Sequence, residues 1–469
     1  MTRQRRKLEK IRWFSFFLFL AGLAITPARA QTGSESHRPP PCRIEAADYK
    51  GWHAEQLSNR WVQLTVLPQN GGRLIQVIFA GHAYLFVNPK YEGKSLPPSQ
   101  SRWYNYGGDK LWLLPEGNGD EQHWTGNSDV LDDGPYSFRK ISEGEHCEVE
   151  LTGPADPRTG IQFERTLGLD ADSPQIRFHA TMKNTSGHPV EWSMQSVSQY
   201  DTAEPGSPSR MNHDFHALAP ANPVSGYLNR YHVRFGPAEN PAVSVTEDGL
   251  FRLHYIHLAA ELWLDSSAGW LAVVDGNSKY GMAERFQYEE SRAYPGKASI
   301  IFWTNGSQVK LNADGEASLS SGGGDGIPYY LEAEINSPLC RLRPGETCSL
   351  ETEWFPTRVE SEFHGMTDAG IVVHPLRAAL GENGRVMLSG AFGVFFAGHL
   401  VAHFYNEHGA GSESVPVAEV DPSQLVSLET GVASPEKPAR ISLHLEDWNG
   451  LDRGSLGEVA VGSGEESPK

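Results

Sequence analysis

The chain contains the stretch Trp61-Val-Gln-Leu-Thr-Val-Leu67, which is followed directly by Pro68-Gln-Asn-Gly-Gly-Arg-Leu-Ile75. In the first part, Val62, Leu64 and Val66 alternate with Gln63, Thr65 and Leu67, which is the pattern of a half-buried β-strand. The adjacent glycines Gly71 and Gly72 supply the positive φ angles that a sharp reversal needs. The stretch therefore predicts a strand, a tight turn and a second strand, with the charge of Arg73 held at the corner.

Short apolar alternations of this kind recur about every ten residues, which is the spacing of strands in all-β proteins. Gly, Pro, Asn and Asp separate them, and helical periodicity is almost absent. Clear examples are Gly160–Leu167, Gln175–Met182, Gly269–Val274, Ala298–Trp303 and Cys348–Phe355. The sequence thus predicts an all-β protein.

The length predicts more than one domain, because a single hydrophobic core rarely serves more than ~250 to 300 residues and this chain has 469. The pattern changes between Pro356 and Pro375, after a strong strand that ends in Trp354-Phe355. We expect a large domain over residues 45–357, a linker over 358–374, and a C-terminal immunoglobulin-like β-sandwich domain with a disordered tail over 375–469.

The N-terminus has the pattern of an export signal. A basic segment precedes the apolar run Trp13–Thr26, and Ala28-Arg29-Ala30 fits a small-x-small cleavage site. The run has 14 residues, fewer than the ~20 that a membrane-spanning helix needs. We expect residues 1–30 to be a signal peptide, residues 31–44 to be disordered, and the mature protein to be periplasmic or secreted. The alternative is an uncleaved signal anchor.

The charge of the mature chain restricts its partners. Removal of residues 1–30 takes away seven basic residues and one acidic residue, which leaves 33 basic and 57 acidic residues and a formal charge of −24. Such a surface repels phosphate backbones and anionic lipid headgroups. We therefore expect no nucleic-acid partner and no stable membrane insertion after signal cleavage, whereas neutral ligands stay open.

Four cysteines follow the predicted cleavage site. Cys340 and Cys348 flank a Pro-Gly turn that could bring two strands together, so in an oxidising compartment this pair is the first candidate for a disulfide. For Cys42 and Cys147, free buried thiols are the open alternative. A metal site at the cysteines is not expected, because Cys-x-x-Cys spacing does not occur.

A second corner combines aromatic, amide and charged side chains. It reads Trp103-Tyr-Asn-Tyr-Gly-Gly-Asp-Lys-Leu-Trp112, a mixture suited to grasping a sugar. Together with Arg73, its Asn105, Asp109, Lys110 and Trp112 are predicted substrate-binding residues, because charged and amide groups bond to hydroxyls and aromatic planes stack on sugar faces. The alternatives are an Arg73–Asp109 ion pair that joins the two turns, and aromatic side chains that belong to the core.

The order of these landmarks resembles the galactose-mutarotase-like (aldose-1-epimerase-like) superfold and, within it, a bacterial domain family. The resemblance covers roughly residues 45–357. The landmarks are Gly71-Gly-Arg73, Gly107-Gly-Asp-Lys-Leu-Trp112, His179–Asn184 with Trp192–Gln199, and Leu331–Glu334 leading to Leu342–Glu346 and Glu353-Trp354. The resemblance implies a large β-supersandwich with a concave sheet that holds a carbohydrate ring.

The resemblance also implies catalytic roles. In the epimerases of this superfold, a glutamate on a late strand is the base and a histidine donates a proton to the ring oxygen, and Glu332 matches the glutamate. The stretch that would carry the histidine reads Gln195–Gln199, and a neutral glutamine cannot deliver a proton. Either the acid comes from elsewhere, or the domain binds sugar without converting it.

Further candidates complete the predicted site. Glu334 lies two residues from Glu332 and therefore shares its strand face, so the two carboxyl groups could raise each other's pKa and work as a catalytic pair. The alternative is a solvated strand face. Gln195, Gln199 and Glu284 are predicted to bind substrate with the residues named above.

Histidines around His213–His216 and His254–His257 raise the question of a metal site. Residues three apart on a strand point to opposite faces, so loop histidines are the default, and we expect neither a metal ion nor a cofactor. The favoured hypothesis is an exported carbohydrate-binding protein, which is an aldose epimerase if Glu332 works as a base. The alternative is a non-catalytic structural or interaction protein of the periplasm or cell surface. The oligomeric state is left open.

Overall fold

The computed structural model describes residues 40–99, 102–117, 122–125, 130–311, 317–320, 328–381, 384–434 and 438–462. The predicted signal peptide, residues 31–39 and the last seven residues of the predicted tail lie outside these ranges. The end of the segment 31–44 differs from the expected disorder, because Cys42 forms a disulfide and a strand begins at Arg43.

The described residues confirm an all-β protein. The first strands are β1 (Arg43–Tyr49), β2 (Trp52–Ser58), β3 (Val62–Leu67), β4 (Arg73–Phe79), β5 (His82–Ala83), β6 (Asp109–Leu114), β7 (Ser137–Ser142), β8 (His146–Thr152), β9 (Ile161–Asp170), β10 (Ile176–Asn184), β11 (Val190–Asp201), β12 (Ala203–Glu204) and β13 (Ser207–Met211). The next are β14 (Phe215–Pro220), β15 (His232–Phe235), β16 (Val243–Val245), β17 (Leu250–His254), β18 (Ala260–Leu264), β19 (Trp270–Asp275), β20 (Tyr280–Phe286), β21 (Ile300–Thr304), β22 (Gln308–Leu311), β23 (Ala317–Ser320), β24 (Tyr330–Asn336), β25 (Cys340–Leu342) and β26 (Thr347–Arg358). The helical elements of the described part are a four-residue α-helix, Val130–Asp133, and the 3-10 turns Pro89–Tyr91 and Pro295–Lys297.

Two large sheets face each other. The twelve-stranded sheet has the order β1-β2-β3-β4-β6-β11-β24-β21-β18-β15, with β5 and β25 attached to β4 and β11. The ten-stranded sheet has the order β16-β17-β14-β19-β20-β26-β10-β9-β8-β7. Alternate side chains of both sheets, such as Leu64 and Phe302 from the first and Phe163 and Trp354 from the second, form one hydrophobic core between them. This is the expected β-supersandwich.

The stretch Trp61–Ile75 folds as predicted, because β3 ends at Leu67 and β4 begins at Arg73. Gly71 and Gly72 have φ angles of 75° and 60°. A Cβ atom on Gly71 would lie 1.7 Å from the backbone oxygen of Asp132, so the turn needs glycine for space as well as for conformation.

The C-terminal strands form two smaller sheets, ordered β27-β28-β29-β32 and β31-β30-β33-β34. The strands are β27 (Gly365–Met366), β28 (Gly370–Leu380), β29 (Arg385–Val394), β30 (Gly398–Tyr405), β31 (Gly411–Val420), β32 (Val426–Ala433), β33 (Arg440–Asp447) and β34 (Asp452–Ala460). A second core joins Phe392 and Leu443 of these strands to Ala272 and Phe355 of the ten-stranded sheet. The segment predicted as a linker, 358–374, contains β27 and the start of β28, and the domain boundaries stay a prediction.

Both cysteine pairs are bridged. Cys340 and Cys348 form the predicted disulfide, with their Cα atoms 6.4 Å apart. Cys42 is bonded to Cys147 of β8, with a Cα–Cα distance of 5.9 Å, so free thiols at these two positions were the wrong alternative. Among the described residues, the helices are all too short or too polar to cross a membrane.

Candidate functional site

A cavity of about 460 Å³ opens on one face of the twelve-stranded sheet. Four tryptophans, one tyrosine and four glutamates dominate its wall. They are Trp103, Trp112, Trp263, Trp303, Tyr330, Glu116, Glu261, Glu332 and Glu334, with Gln195, Arg234 and Asn305 among the other polar side chains. Apolar walls with a few convergent polar groups are typical of small-molecule sites.

Strand register explains why these residues meet. Directly opposite residues of antiparallel strands place their side chains on the same face. Gln199 of β11 lies opposite Glu332 of β24, which lies opposite Trp303 of β21, which lies opposite Glu261 of β18. We call this side of the sheet the cavity face, and the side that packs on the ten-stranded sheet the core face.

Glu332 lies on the cavity face beside an amide and a cation. Its Oε1 accepts a hydrogen bond of 2.5 Å from Gln199 Nε2 and lies 3.6 Å from Lys110 Nζ. Lys110 is buried beneath the wall, with Nζ 4.4 Å from the centre of the Trp112 ring. Lys110 therefore lies between the Glu332 carboxylate, with which it pairs, and the Trp112 ring of the cavity wall.

Glu334 is held differently, although it lies on the same strand. Its Oε2 accepts a hydrogen bond of 2.5 Å from Gln195 Nε2. Burial raises the pKa of Glu334 well above its usual range, and repulsion from Glu332 and Glu261 raises it further. A raised pKa favours the protonated carboxyl group, which can donate a hydrogen bond or a proton.

Two further carboxyl groups, those of Glu116 and Glu261, line the cavity. Burial, followed by repulsion from Glu261 and Glu332, raises the pKa of Glu116 to about 8, and solvent moderates this shift because the side chain is exposed to the cavity. Burial also raises the pKa of Glu261, whose Oε1 accepts a hydrogen bond of 2.6 Å from Trp263 Nε1. Protonated carboxyl groups both donate and accept hydrogen bonds, which suits sugar hydroxyls.

Arg73 does not line the cavity, contrary to its predicted role in ligand binding. Its guanidinium is fully buried and bonds to Asp132 Oδ1 at 3.0 Å and to Asp133 Oδ1 at 3.2 Å. Its Nε donates to the backbone oxygen of Asn70 at 2.7 Å. Because these partners occupy its donors, Arg73 has a structural role next to the site.

Asp109 and Glu284, two more predicted binding residues, lie between the sheets. Asp109 forms a buried ion pair with Arg165 of β9 and accepts a hydrogen bond of 3.0 Å from Ser198 Oγ. The alternative of an Arg73–Asp109 ion pair is therefore wrong, and so is the predicted ligand role of Asp109. Glu284 Oε1 accepts a hydrogen bond of 2.5 Å from the Tyr200 hydroxyl, and burial raises the pKa of Glu284 to about 8. We call the buried residues Asp109, Arg165, Tyr200 and Glu284 the sealed layer.

The other candidates can be placed as well. Asn105 is buried, and its Oδ1 accepts a hydrogen bond of 3.1 Å from the Gly107 backbone, so it shapes the turn. His216 of β14 and His254 of β17 are cross-strand neighbours whose rings stack 4.8 Å apart, which corrects the placement of His216 in a loop. Within the described ranges, groups of three or more His, Cys, Asp or Glu side chains suited to a metal ion were not found.

Of the ten predicted site residues, Trp112, Gln195, Glu332 and Glu334 line the cavity, and Gln199 and Lys110 bond or pair with Glu332. Sequence reasoning missed further lining residues. They are Glu116, Arg234, Glu261, Trp263, Trp303, Asn305 and Tyr330. Trp103, one of the corner aromatics that the sequence offered for stacking on a sugar, also lines the cavity. The available signal was alternation, since Glu261 and Trp263 are two apart on β18 and interrupt its apolar pattern.

A larger depression of about 780 Å³ lies where the ten-stranded sheet meets the C-terminal strands. Its charged side chains include Arg252, Lys279 and Glu362, and Phe363 supplies the aromatic surface. Among the described residues that line this depression there is no tryptophan, so the cavity of the twelve-stranded sheet, where four indoles meet four carboxyl groups, is the candidate site.

Comparison with solved structures shows similarity to galactose mutarotase-like proteins. One from Clostridium acetobutylicum is 10% identical with a TM-score of 0.43 over 68% of this chain and 99% of that protein. Another from Lactobacillus casei ATCC 334 is 10% identical with a TM-score of 0.41 over 65% of this chain and 99% of that protein. This similarity agrees with the resemblance that the sequence indicated, and it concerns the fold only.

A TPR-domain containing protein from Parabacteroides distasonis ATCC 8503 is also similar, with 14% identity and a TM-score of 0.43. The match covers 65% of this chain and 47% of that protein, so the chain spans about half of its length. Known protein-family models do not match this chain, and a search of curated proteins found no significant match.

Proposed function

We propose that the cavity of the twelve-stranded sheet binds a carbohydrate. The observation that carries the proposal is the meeting of four indoles with four carboxyl groups around about 460 Å³. Indole faces suit the C–H faces of a sugar ring, while carboxyl and amide groups bond to its hydroxyls. The formal negative charge of the whole chain adds weight to a neutral ligand.

The paired carboxyl groups give this site the means for epimerisation of a free aldose. Glu332, beside Lys110, takes the proton of the anomeric hydroxyl, while protonated Glu334 gives its proton to the ring oxygen. The bond between the anomeric carbon and the ring oxygen breaks and leaves an open aldehyde. After rotation of the aldehyde the steps reverse, and the other anomer forms. Burial raises the pKa of Glu334, which favours the protonated form that a proton donor in this exchange needs.

Export belongs to the same proposal. The basic and apolar pattern of residues 1–30 supports a periplasmic or secreted protein, and the two disulfides are consistent with an oxidising compartment.

Polarimetry of freshly dissolved α-anomers of glucose, galactose and mannose tests the function. The mature protein should accelerate the approach to equilibrium rotation for at least one sugar, relative to heat-denatured protein. Binding of a sugar without acceleration would leave a non-catalytic carbohydrate-binding protein. If the sugars and a glycan array both show no binding while envelope proteins co-purify, the structural or interaction role replaces the proposal.

A further inference from the structure

One buried carboxylate connects two tryptophans of the cavity wall. Trp112 Nε1 donates to Asp132 Oδ1 at 3.0 Å, and Trp103 Nε1 donates to Asp132 Oδ2 at 3.1 Å. Asp132 is 1% exposed and lies on the short helix Val130–Asp133. Each oxygen of the carboxylate therefore holds one indole ring of the wall.

An indole N–H is a donor only, and a buried donor needs an acceptor. The N–H lies in the ring plane, so its bond restricts the rotation of the whole ring about the side chain. A charged acceptor forms a shorter and stronger bond than a neutral one. The Asp132 carboxylate thus restricts the orientation of both rings, which lie 6.0 Å apart at an angle of 67°.

We propose that Asp132 is a positioning residue that orients Trp103 and Trp112 for stacking against the sugar. This inference rests on the proposed carbohydrate-binding function. It also gives Arg73 a role, because the guanidinium, which does not line the cavity, bonds to Asp132 Oδ1 and holds the carboxylate in place.

The charges around Arg73 offer a matched control. Arg73 pairs with Asp132 and with Asp133, both fully buried. Asp132→Asn leaves an Arg73–Asp133 pair, and Asp133→Asn leaves an Arg73–Asp132 pair. Both variants remove one buried negative charge, but only Asp132→Asn removes acceptors of the indole groups. An asparagine has one acceptor oxygen, so it cannot accept on both sides.

NMR of the ligand-free protein tests the role of Asp132 without any sugar. The readout is the indole N–H signals of Trp103 and Trp112, which are assigned with the variants Trp103→Phe and Trp112→Phe. Asp132→Asn should shift at least one of these two signals, while Asp133→Asn should leave both in place. In the wild type, exchange of both N–H groups with deuterium should be slow. Fast exchange in the wild type would overturn the proposal even if Asp132→Asn did not fold.

Affinity for whichever of glucose, galactose and mannose the wild type binds is the second readout. Asp132→Asn should weaken binding about tenfold and raise KM with little change in kcat, because stacking acts on the ground state and the transition state alike. Asp133→Asn should stay within about twofold. Equal losses in both variants would contradict the positioning role. If the wild type binds none of the sugars, the proposed function fails, and the indole signals still decide whether Asp132 holds the rings.

Discussion

The two faces of strands β6 and β11 carry similar chemistry in different surroundings. On the cavity face, Lys110 lies beside Glu332, and Glu334 is a buried acid. On the core face, Arg165 pairs with Asp109, and Glu284 is a buried acid in the sealed layer. Asp109 and Lys110 are consecutive residues of one strand, and they belong to these two different environments.

The comparison separates a shifted pKa from a functional role. Burial raises the pKa of both Glu334 and Glu284, yet only Glu334 lines a cavity that a ligand can enter. A perturbed carboxyl group does not by itself mark a functional site, because structural networks perturb the pKa of carboxyl groups too. Access to a ligand is the property that assigns the cavity face to function and the sealed layer to stability.

The largest expected effect comes from changing one carboxyl group on each face. Glu332→Gln should lower kcat of epimerisation by about 10² to 10⁴, because a general base is lost. Glu284→Gln should leave kcat within about threefold, since its side chain lies away from the cavity. Polarimetry of both variants checks this, with the exposed Glu351→Gln as control. Equal losses in Glu332→Gln and Glu284→Gln would remove the distinction between the faces.

Removal of the cation on each face should affect stability unequally. Arg165→Met leaves the buried Asp109 carboxylate without its partner and should lower the free energy of unfolding by about 3 to 5 kcal/mol. Lys110→Met should cost about half as much or less, because Glu332 lines the cavity and keeps its hydrogen bond from Gln199 when the lysine is removed. Urea denaturation measures both values. A larger loss in Lys110→Met would show that the cavity face, and not the sealed layer, carries the more important buried charge.

The sealed layer also predicts a pH effect. In the unfolded chain Glu284 titrates near its ordinary value of 4.5, whereas the folded pKa is about 8. Between these values the unfolded chain has lost a proton that the folded protein keeps, so stability falls as pH rises. Between pH 6 and pH 7, the free energy of unfolding of Glu284→Gln should therefore rise by about 1.4 kcal/mol relative to that of the wild type. Denaturation of both proteins at pH 6 and pH 7 measures this change. If the difference in unfolding free energy between Glu284→Gln and wild type is the same at the two pH values, a protonated Glu284 is contradicted.

The smallest expected effect is the loss of affinity when one indole of the cavity, that of Trp303, is removed. Trp303→Ala removes an indole from the cavity and should weaken sugar binding by about fivefold, which corresponds to about 1 kcal/mol. Trp270→Ala, on the ten-stranded sheet, is the matched control and should leave affinity unchanged. Isothermal titration calorimetry gives both values. An unchanged affinity in Trp303→Ala would show that this indole does not contact the sugar.

Local patterns predicted much of the fold. Period-two alternation and the glycine pair gave β3, the turn and β4, and the spacing of Glu332 and Glu334 placed both on one face. The same rule separates Asp109 from Lys110, although the hypothesis assigned both to the ligand. Short-range patterns therefore carry strand identity and facing.

Long-range partners could not be predicted in this way. Arg73 pairs with Asp132, 59 positions away, and Glu261 meets Glu332 only through the register of β18, β21 and β24. Register depends on the whole set of core contacts and turn lengths. This is why the sequence indicated the part of the cavity on β24 but not the parts on β21 and β18, and why Arg73 was expected at the ligand.

A crystal structure after soaking in a mixture of glucose, galactose and mannose tests the central claim most directly. The account predicts electron density for a sugar ring inside the cavity, in contact with Trp112 or Trp303 and within hydrogen-bond distance of Glu332. A sugar that binds in solution but occupies another surface in the crystal, with the cavity empty, would contradict it.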